Sequence, residues 1–114
     1  MNPLVYPNGD RARRRDGMRH RDGGPAIELA DGGKEWYRHG KLHRDDGPAI
    51  EYADGSKIWC RGGIVHRDGG PAEERADGTK AWYRNGNFYR DDGPAIEWAD
   101  GHRAHGRLAR EEKP

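Results

Sequence analysis

The stretch His43–Val65, HRDDGPAIEYADGSKIWCRGGIV, returns almost unchanged every 23 residues along this chain. His20, His43, His66 and Tyr89 head four successive copies. Arg-Asp follows each head, then Gly-Pro-Ala, led by Gly24, Gly47, Gly70 and Gly93. An Asp-Gly pair comes next at Asp31-Gly32, Asp54-Gly55, Asp77-Gly78 and Asp100-Gly101, and Trp36, Trp59 and Trp82 close the pattern. A fixed period of this size signals stacked repeats, each burying its apolar face against its neighbours. Such stacks generally present surfaces and rarely enclose one catalytic pocket.

Working outward, both ends keep the register. Tyr6, Asn8-Gly9 and Arg11 stand two periods before Tyr52, Asp54-Gly55 and Lys57. The reading is a single repeat domain over 1-114 with a degenerate first unit, 1-19. Repeats 20-42, 43-65 and 66-88 follow, then a truncated last repeat, 89-114, whose charged tail is expected to fray.

Composition alone borders on disorder, with 36% charged residues against 32% apolar ones. The aromatics recurring in register with turn residues argue instead for a fold, because local and global signals agree. Net charge is +1 with acids and bases interleaved, which disfavours a dedicated DNA binder. Only Met1–Arg21 is locally basic. Cys60 is the one cysteine, so no internal disulfide is possible. MNPLVYPNGD lacks an apolar core of signal-peptide length, and no stretch suits a membrane span, so a cytoplasmic protein is expected.

Asx-Gly pairs are strong hairpin signals, since both central residues of a type I′ turn need positive φ. A two-residue loop at Asp54-Gly55 would pair Tyr52 with Lys57 and Ile50 with Trp59, placing all four on one face. The expected structural core is Ile27, Trp36, Ile50, Tyr52, Trp59, Trp82, Ile96 and Trp98. The same register sets Lys57 over Tyr52, Arg103 over Trp98 and Arg11 over Tyr6, and sets Arg75 against Lys80 as a like-charge pair. Because Trp59 sits in a central unit, its loss is expected to cost more than that of Trp98. Second reversals follow at His39-Gly40, Gly62-Gly63 and Asn85-Gly86, and Pro25, Pro48, Pro71 and Pro94 mark bends because proline cannot donate to a ladder. The fold class is all-β: a single-layer, elongated, twisted antiparallel meander of about five stacked hairpin repeats.

The His column invites a metal reading, but positions one repeat apart are separated by at least two strand spacings, roughly 9.5 Å. One zinc ion holds its nitrogens at about 2.0–2.1 Å and cannot bridge that gap. Asp45-Asp46 and Asp91-Asp92 lack the alternating ligand loop of a calcium-binding EF-hand. No G-x-S-x-G elbow or phosphate-cradling loop is present. No catalytic residue, metal or cofactor is expected, and the chain reads as no enzyme.

The stretches Trp36–Gly55, WYRHGKLHRDDGPAIEYADG, and Trp82–Gly101, WYRNGNFYRDDGPAIEWADG, resemble MORN repeats, which share this length, an aromatic strand and a Y-A-D-G turn. HRDDGPA stands where that family has a Gly-rich H-G-x-G segment. The DGPA variant is similar to repeats of small phage and prophage proteins. The resemblance implies an elongated sheet used for assembly, scaffolding or lipid-headgroup binding. It also makes a phage-encoded inhibitor of a host defence complex, of anti-CRISPR type, a reasonable expectation. Tyr37, Arg38, Arg61, Tyr83 and Arg84 are the candidate partner-binding residues, since Tyr, Trp and Arg dominate binding hot spots. The alternative is a surface module for anionic lipid or nucleic acid, built on the arginines of Arg11–Arg21 together with the column Arg38, Arg61 and Arg84. A homodimer or partner complex through a sheet face completes the expectation.

Overall fold

The computed structural model describes residues 3–101 and 103–105, and no helix occurs among them. Unit one supplies β1 (Leu4–Val5), β2 (Arg11–Ala12), β3 (Arg14–Arg15) and β4 (Met18–Arg19). The second supplies β5 (Ile27–Glu28), β6 (Lys34–Glu35), β7 (Tyr37–Arg38) and β8 (Lys41–Leu42). The third supplies β9 (Ile50–Glu51), β10 (Lys57–Ile58), β11 (Cys60–Arg61) and β12 (Ile64–Val65). The fourth supplies β13 (Glu73–Glu74), β14 (Lys80–Ala81), β15 (Tyr83–Arg84) and β16 (Asn87–Phe88), and β17 (Pro94–Glu97) and β18 (Arg103–His105) follow.

Ten of these strands form one antiparallel meander, in the order β1-β2-β5-β6-β9-β10-β13-β14-β17-β18. Nine gaps of about 4.8 Å would span roughly 43 Å, close to the observed long dimension of 45 Å against 24 and 21 Å across. The sheet therefore runs along the molecule with its short strands lying crosswise. The remaining strands make four separate hairpins, β3–β4, β7–β8, β11–β12 and β15–β16. They stack in a row alongside: Gly40 N–H donates to Arg19 O, Gly63 to Leu42 O and Gly86 to Val65 O, at 2.8–2.9 Å.

The two turn families differ. In the row of hairpins both central residues have positive φ, as at His39 (51°) and Gly40 (80°), which is the two-residue I′ geometry. Asp16-Gly17 makes the same turn one period earlier. In the large sheet the Asp-Gly turns behave otherwise. Gly55 N–H donates to Tyr52 O and Tyr52 N–H to Ser56 O, so Ala53-Asp54-Gly55 is a three-residue loop. Only Gly55 there has positive φ, the arrangement of a type I turn with a glycine bulge. Asp54 completes it by accepting the Ser56 N–H at 2.8 Å.

That extra loop residue shifts the pairing by one from the two-residue expectation. Ile50 lies opposite Ile58, and Glu51 opposite Lys57. A one-residue slip turns every side chain of one strand to the other face. The expected Ile–Trp and cation–aromatic cross-strand pairs are therefore not formed. Lys57 faces Glu51, Arg103 is in register with Glu97, and Arg11 with Val5. Lys80 faces Glu74, which removes the expected clash with Arg75; Arg75 binds Glu73 at 2.9 Å instead. Across the sheet the register reads Arg11–Glu28–Lys34–Glu51–Lys57–Glu74–Lys80–Glu97, an unbroken alternation of charge.

The core differs from expectation as well. Ile27, Ile96 and Trp98 are buried, whereas Ile50, Trp36, Trp59 and Trp82 are half-buried. Tyr52 is 47% exposed and is no core residue, because its turn lies at the rim of the sheet. The best-buried column is the alanine of Gly-Pro-Ala: Ala26, Ala49, Ala72 and Ala95 are all at 0% exposure. Each alanine C=O accepts the N–H of Trp36, Trp59 or Trp82 (of Arg13 for Ala26) at 2.7–2.8 Å, which sews one repeat to the next.

Candidate interaction surface

Each connector is built around its arginine. Arg44 lies 3.9 Å from the ring centroid of Trp36, Arg67 3.9 Å from that of Trp59, and Arg90 3.7 Å from that of Trp82. The same guanidinium donates to the proline carbonyl four residues on, Arg44 to Pro48 O at 3.1 Å. It also reaches the strand carboxylate, Arg44 to Glu51 at 3.1 Å and Arg90 to Glu97 at 2.8 Å. A Cβ added at Gly47 would sit 2.8 Å from Arg44 Cζ, so a larger residue there would have to displace the packed guanidinium. The cation–aromatic stacking expected across strands is thus supplied by the connector. Such a contact contributes about 0.5–1 kcal/mol when exposed and more when desolvated.

Beside this runs the histidine column. Asp45 Oδ1 accepts from His43 Nε2 at 2.8 Å while Arg38 Nη2 donates to its Oδ2 at 3.1 Å. The pattern recurs with Asp22, His20 and Arg15, and with Asp68, His66 and Arg61. In the fourth copy the Tyr89 hydroxyl donates to Asp91 Oδ1, and Arg84 holds Asp91 Oδ2. The His20 hydrogen bond holds the Asp22 carboxyl below its ordinary range, as His43 does for Asp45, and Arg61 and then His66 for Asp68.

The candidate partner-binding residues are thereby placed. Arg38, Arg61 and Arg84 form a row at one-repeat spacing, with side chains 49%, 60% and 53% exposed, each clasped to the aspartate of the next connector. Tyr37 is half-buried; its hydroxyl donates to Glu35 at 2.9 Å, and burial followed by that bond pushes its phenol up. Tyr83 is half-buried too, stacked on Phe88 at 4.6 Å and bonded to Glu73. The arginines form the accessible row, and the tyrosines lean into the body. Cys60, in the tyrosine column, is buried, and desolvation raises its thiol to about 11.

Between successive connectors lie three equivalent surface grooves of about 370, 530 and 480 Å³. Their walls are the Arg and Asp of two neighbouring connectors and the glycine of the first, with Trp36, Trp59 or Trp82. No buried polar side-chain atom among the described residues lacks a partner. The aspartate row is offered by the sequence as the partner of these arginines. Its part in holding the arginines was legible in the constant spacing of seven between Arg38 and Asp45, Arg61 and Asp68, and Arg84 and Asp91. No group of three metal-ligating side chains occurs among the described residues, and no described helix is long and apolar enough to cross a membrane. No protein-family model matches the chain, and no curated protein matches it either.

Proposed function

We propose that this chain is a non-enzymatic interaction module that meets a protein partner along its arginine row. The observation that supports this is the prearrangement of Arg38, Arg61 and Arg84 by Asp45, Asp68 and Asp91. A side chain already ordered loses less entropy on binding. Regular spacing favours an extended partner surface over a small molecule. A host defence complex as that partner, with this chain as a phage-encoded inhibitor, is the narrower form of the proposal and rests on the repeat resemblance.

Catalysis is disfavoured because the repeated His–Asp pairs, the one arrangement suggestive of a general base, have both ring nitrogens engaged. Polyanion binding is the weaker reading. Within the basic first unit Arg13 binds Glu28 at 2.6 Å and Arg15 binds Asp22, leaving less charge for phosphates.

Affinity capture from a cell lysate with the wild type and with R38A/R61A/R84A tests the proposal. A protein captured at raised salt by the wild type and lost by the variant supports it. Capture of nucleic acid or anionic vesicles that fades steeply with salt would overturn it in favour of polyanion binding.

A further inference from the structure

The histidines do more than hold aspartates. His20 Nδ1 accepts the backbone N–H of His39 at 3.0 Å, His43 Nδ1 that of Gly62 at 3.0 Å, and His66 Nδ1 that of Asn85 at 3.1 Å. Each donor belongs to the I′ turn of the next hairpin in the row. A backbone N–H has no lone pair to offer, so Nδ1 must be unprotonated and Nε2 must carry the hydrogen given to aspartate. The backbone donor thus fixes the tautomer at three sites.

We propose that these three imidazoles are an acid-released latch between successive hairpins. A proton on Nδ1 would face another N–H, so the bond to the next hairpin is lost once the ring is doubly protonated. The bond to the turn is therefore present while the imidazole is neutral and disappears when the ring becomes doubly protonated.

Two opposing influences surround each ring. Asp22, Asp45 and Asp68 favour the imidazolium, but these carboxylates are 67–75% exposed, where an ion pair is weak. Arg15, Arg38 and Arg61 share the same carboxylates and oppose a second positive charge, and the ring of His39 lies 4.7 Å from that of His20. Whatever that balance, a proton on Nδ1 removes the only lone pair that the turn N–H can use, so double protonation breaks the bond. His20 is 2% exposed, which makes its latch the driest of the three.

The opposite rim carries a built-in control. Ser56 Oγ accepts the N–H of Ala76 at 2.9 Å, and Thr79 Oγ1 that of Ala99 at 3.1 Å. These hydroxyl latches also join successive repeats but do not titrate with the imidazoles. Release should accordingly loosen the row of hairpins, still joined by the Gly40, Gly63 and Gly86 N–H bonds, while leaving the ten-stranded sheet paired. The proposal does not depend on what the arginine row binds.

Ring-nitrogen and amide NMR on the whole chain, from about pH 8 down to about pH 5, provide the test. Unprotonated Nδ1 at the upper end is expected on His20, His43 and His66. Amide protection of His39, Gly62 and Asn85 should fall by roughly tenfold or more as those rings protonate, while Ala76 and Ala99 keep theirs. In H43N the side-chain oxygen takes the place of Nδ1 without titrating. Gly62 should then lose its pH response while Asn85 keeps it. Nδ1–H tautomers in the wild type, or protection of Gly62 unchanged through protonation of His43, would overturn the latch even if H43N failed to fold.

Discussion

The first and last units of the array share a backbone and differ in what fills it. Trp36, Trp59 and Trp82 are matched in the first unit by Arg13, Tyr37 and Tyr83 by Arg14, and Phe88 by Arg19. Leu4, Val5, Tyr6 and Met18 are 38–58% exposed there. At the other end Ala81, Phe88, Ala95, Ile96 and Trp98 form a buried cluster with Tyr83 packed against it. Turn glycines and backbone ladders keep the first unit in register, while apolar burial is concentrated near the last. The N-terminal basic cluster, which read as a candidate polyanion site, consists in part of arginines standing at core columns.

The sharpest way to break this comparison is to empty one column at both ends. Trp98→Ala should cost about 3–5 kcal/mol in chemical denaturation, the range for a buried aromatic. Tyr6→Ala, four repeats away in the same column, should cost within about 0.5–1 kcal/mol. Trp59→Ala should fall between them, since Trp59 is half-buried beneath Arg67. That reverses the order expected from its central position alone. Equal losses at Trp98 and Tyr6 would dissolve the contrast.

A second comparison concerns the connector arginine. Arg44→Ala removes the stack on Trp36 and the bonds to Pro48 O and Glu51. Charged hydrogen bonds of this kind contribute about 1.5–3 kcal/mol each at most, so a loss near 2 kcal/mol is expected. Arg21→Ala should cost clearly less. Arg13 replaces the tryptophan there and already holds Glu28 at 2.6 Å, against 3.7 Å for Arg21. Thermal melting of the two variants side by side reads this difference.

Acid should erode the aspartate row modestly. Asp22, Asp45 and Asp68 have folded pKa values below the ordinary carboxylate value. Their contribution is complete above the unfolded carboxylate range and is lost as pH falls through the depressed folded values. Asp45→Asn should flatten that limb of the stability–pH curve. An unaltered acid limb in the variant would show that other carboxylates carry it.

The smallest effect is chemical. Cys60 is 3% exposed, with its thiol raised to about 11. Alkylation at about pH 8 should be negligible in the native protein and rapid only in denaturant, because the thiolate is the nucleophile. Fast native labelling would mean that the central repeat opens as readily as the exposed first unit.

The period, the all-β class and the positions of nearly every reversal were legible in the sequence, because glycine at a positive-φ turn and a recurring aromatic leave a local signature. Of the candidate site, the arginine row, its spacing and its aspartate partners were legible, but not the histidine and tyrosine bonds that hold those aspartates in place. Asp54-Gly55 and His39-Gly40 look alike as dipeptides, yet one closes a three-residue loop and the other a two-residue loop. Asx-Gly is compatible with both. Pairing with the strands on either side favours the register in which charge alternates from Arg11 to Glu97 and Ala49 packs between repeats. That choice moved the tryptophans away from the isoleucines and under the connector arginines. The sequence by itself determined where the chain turns; the tertiary structure decided which face each side chain takes, because a single-residue slip in a strand leaves every turn in place and reverses every side chain.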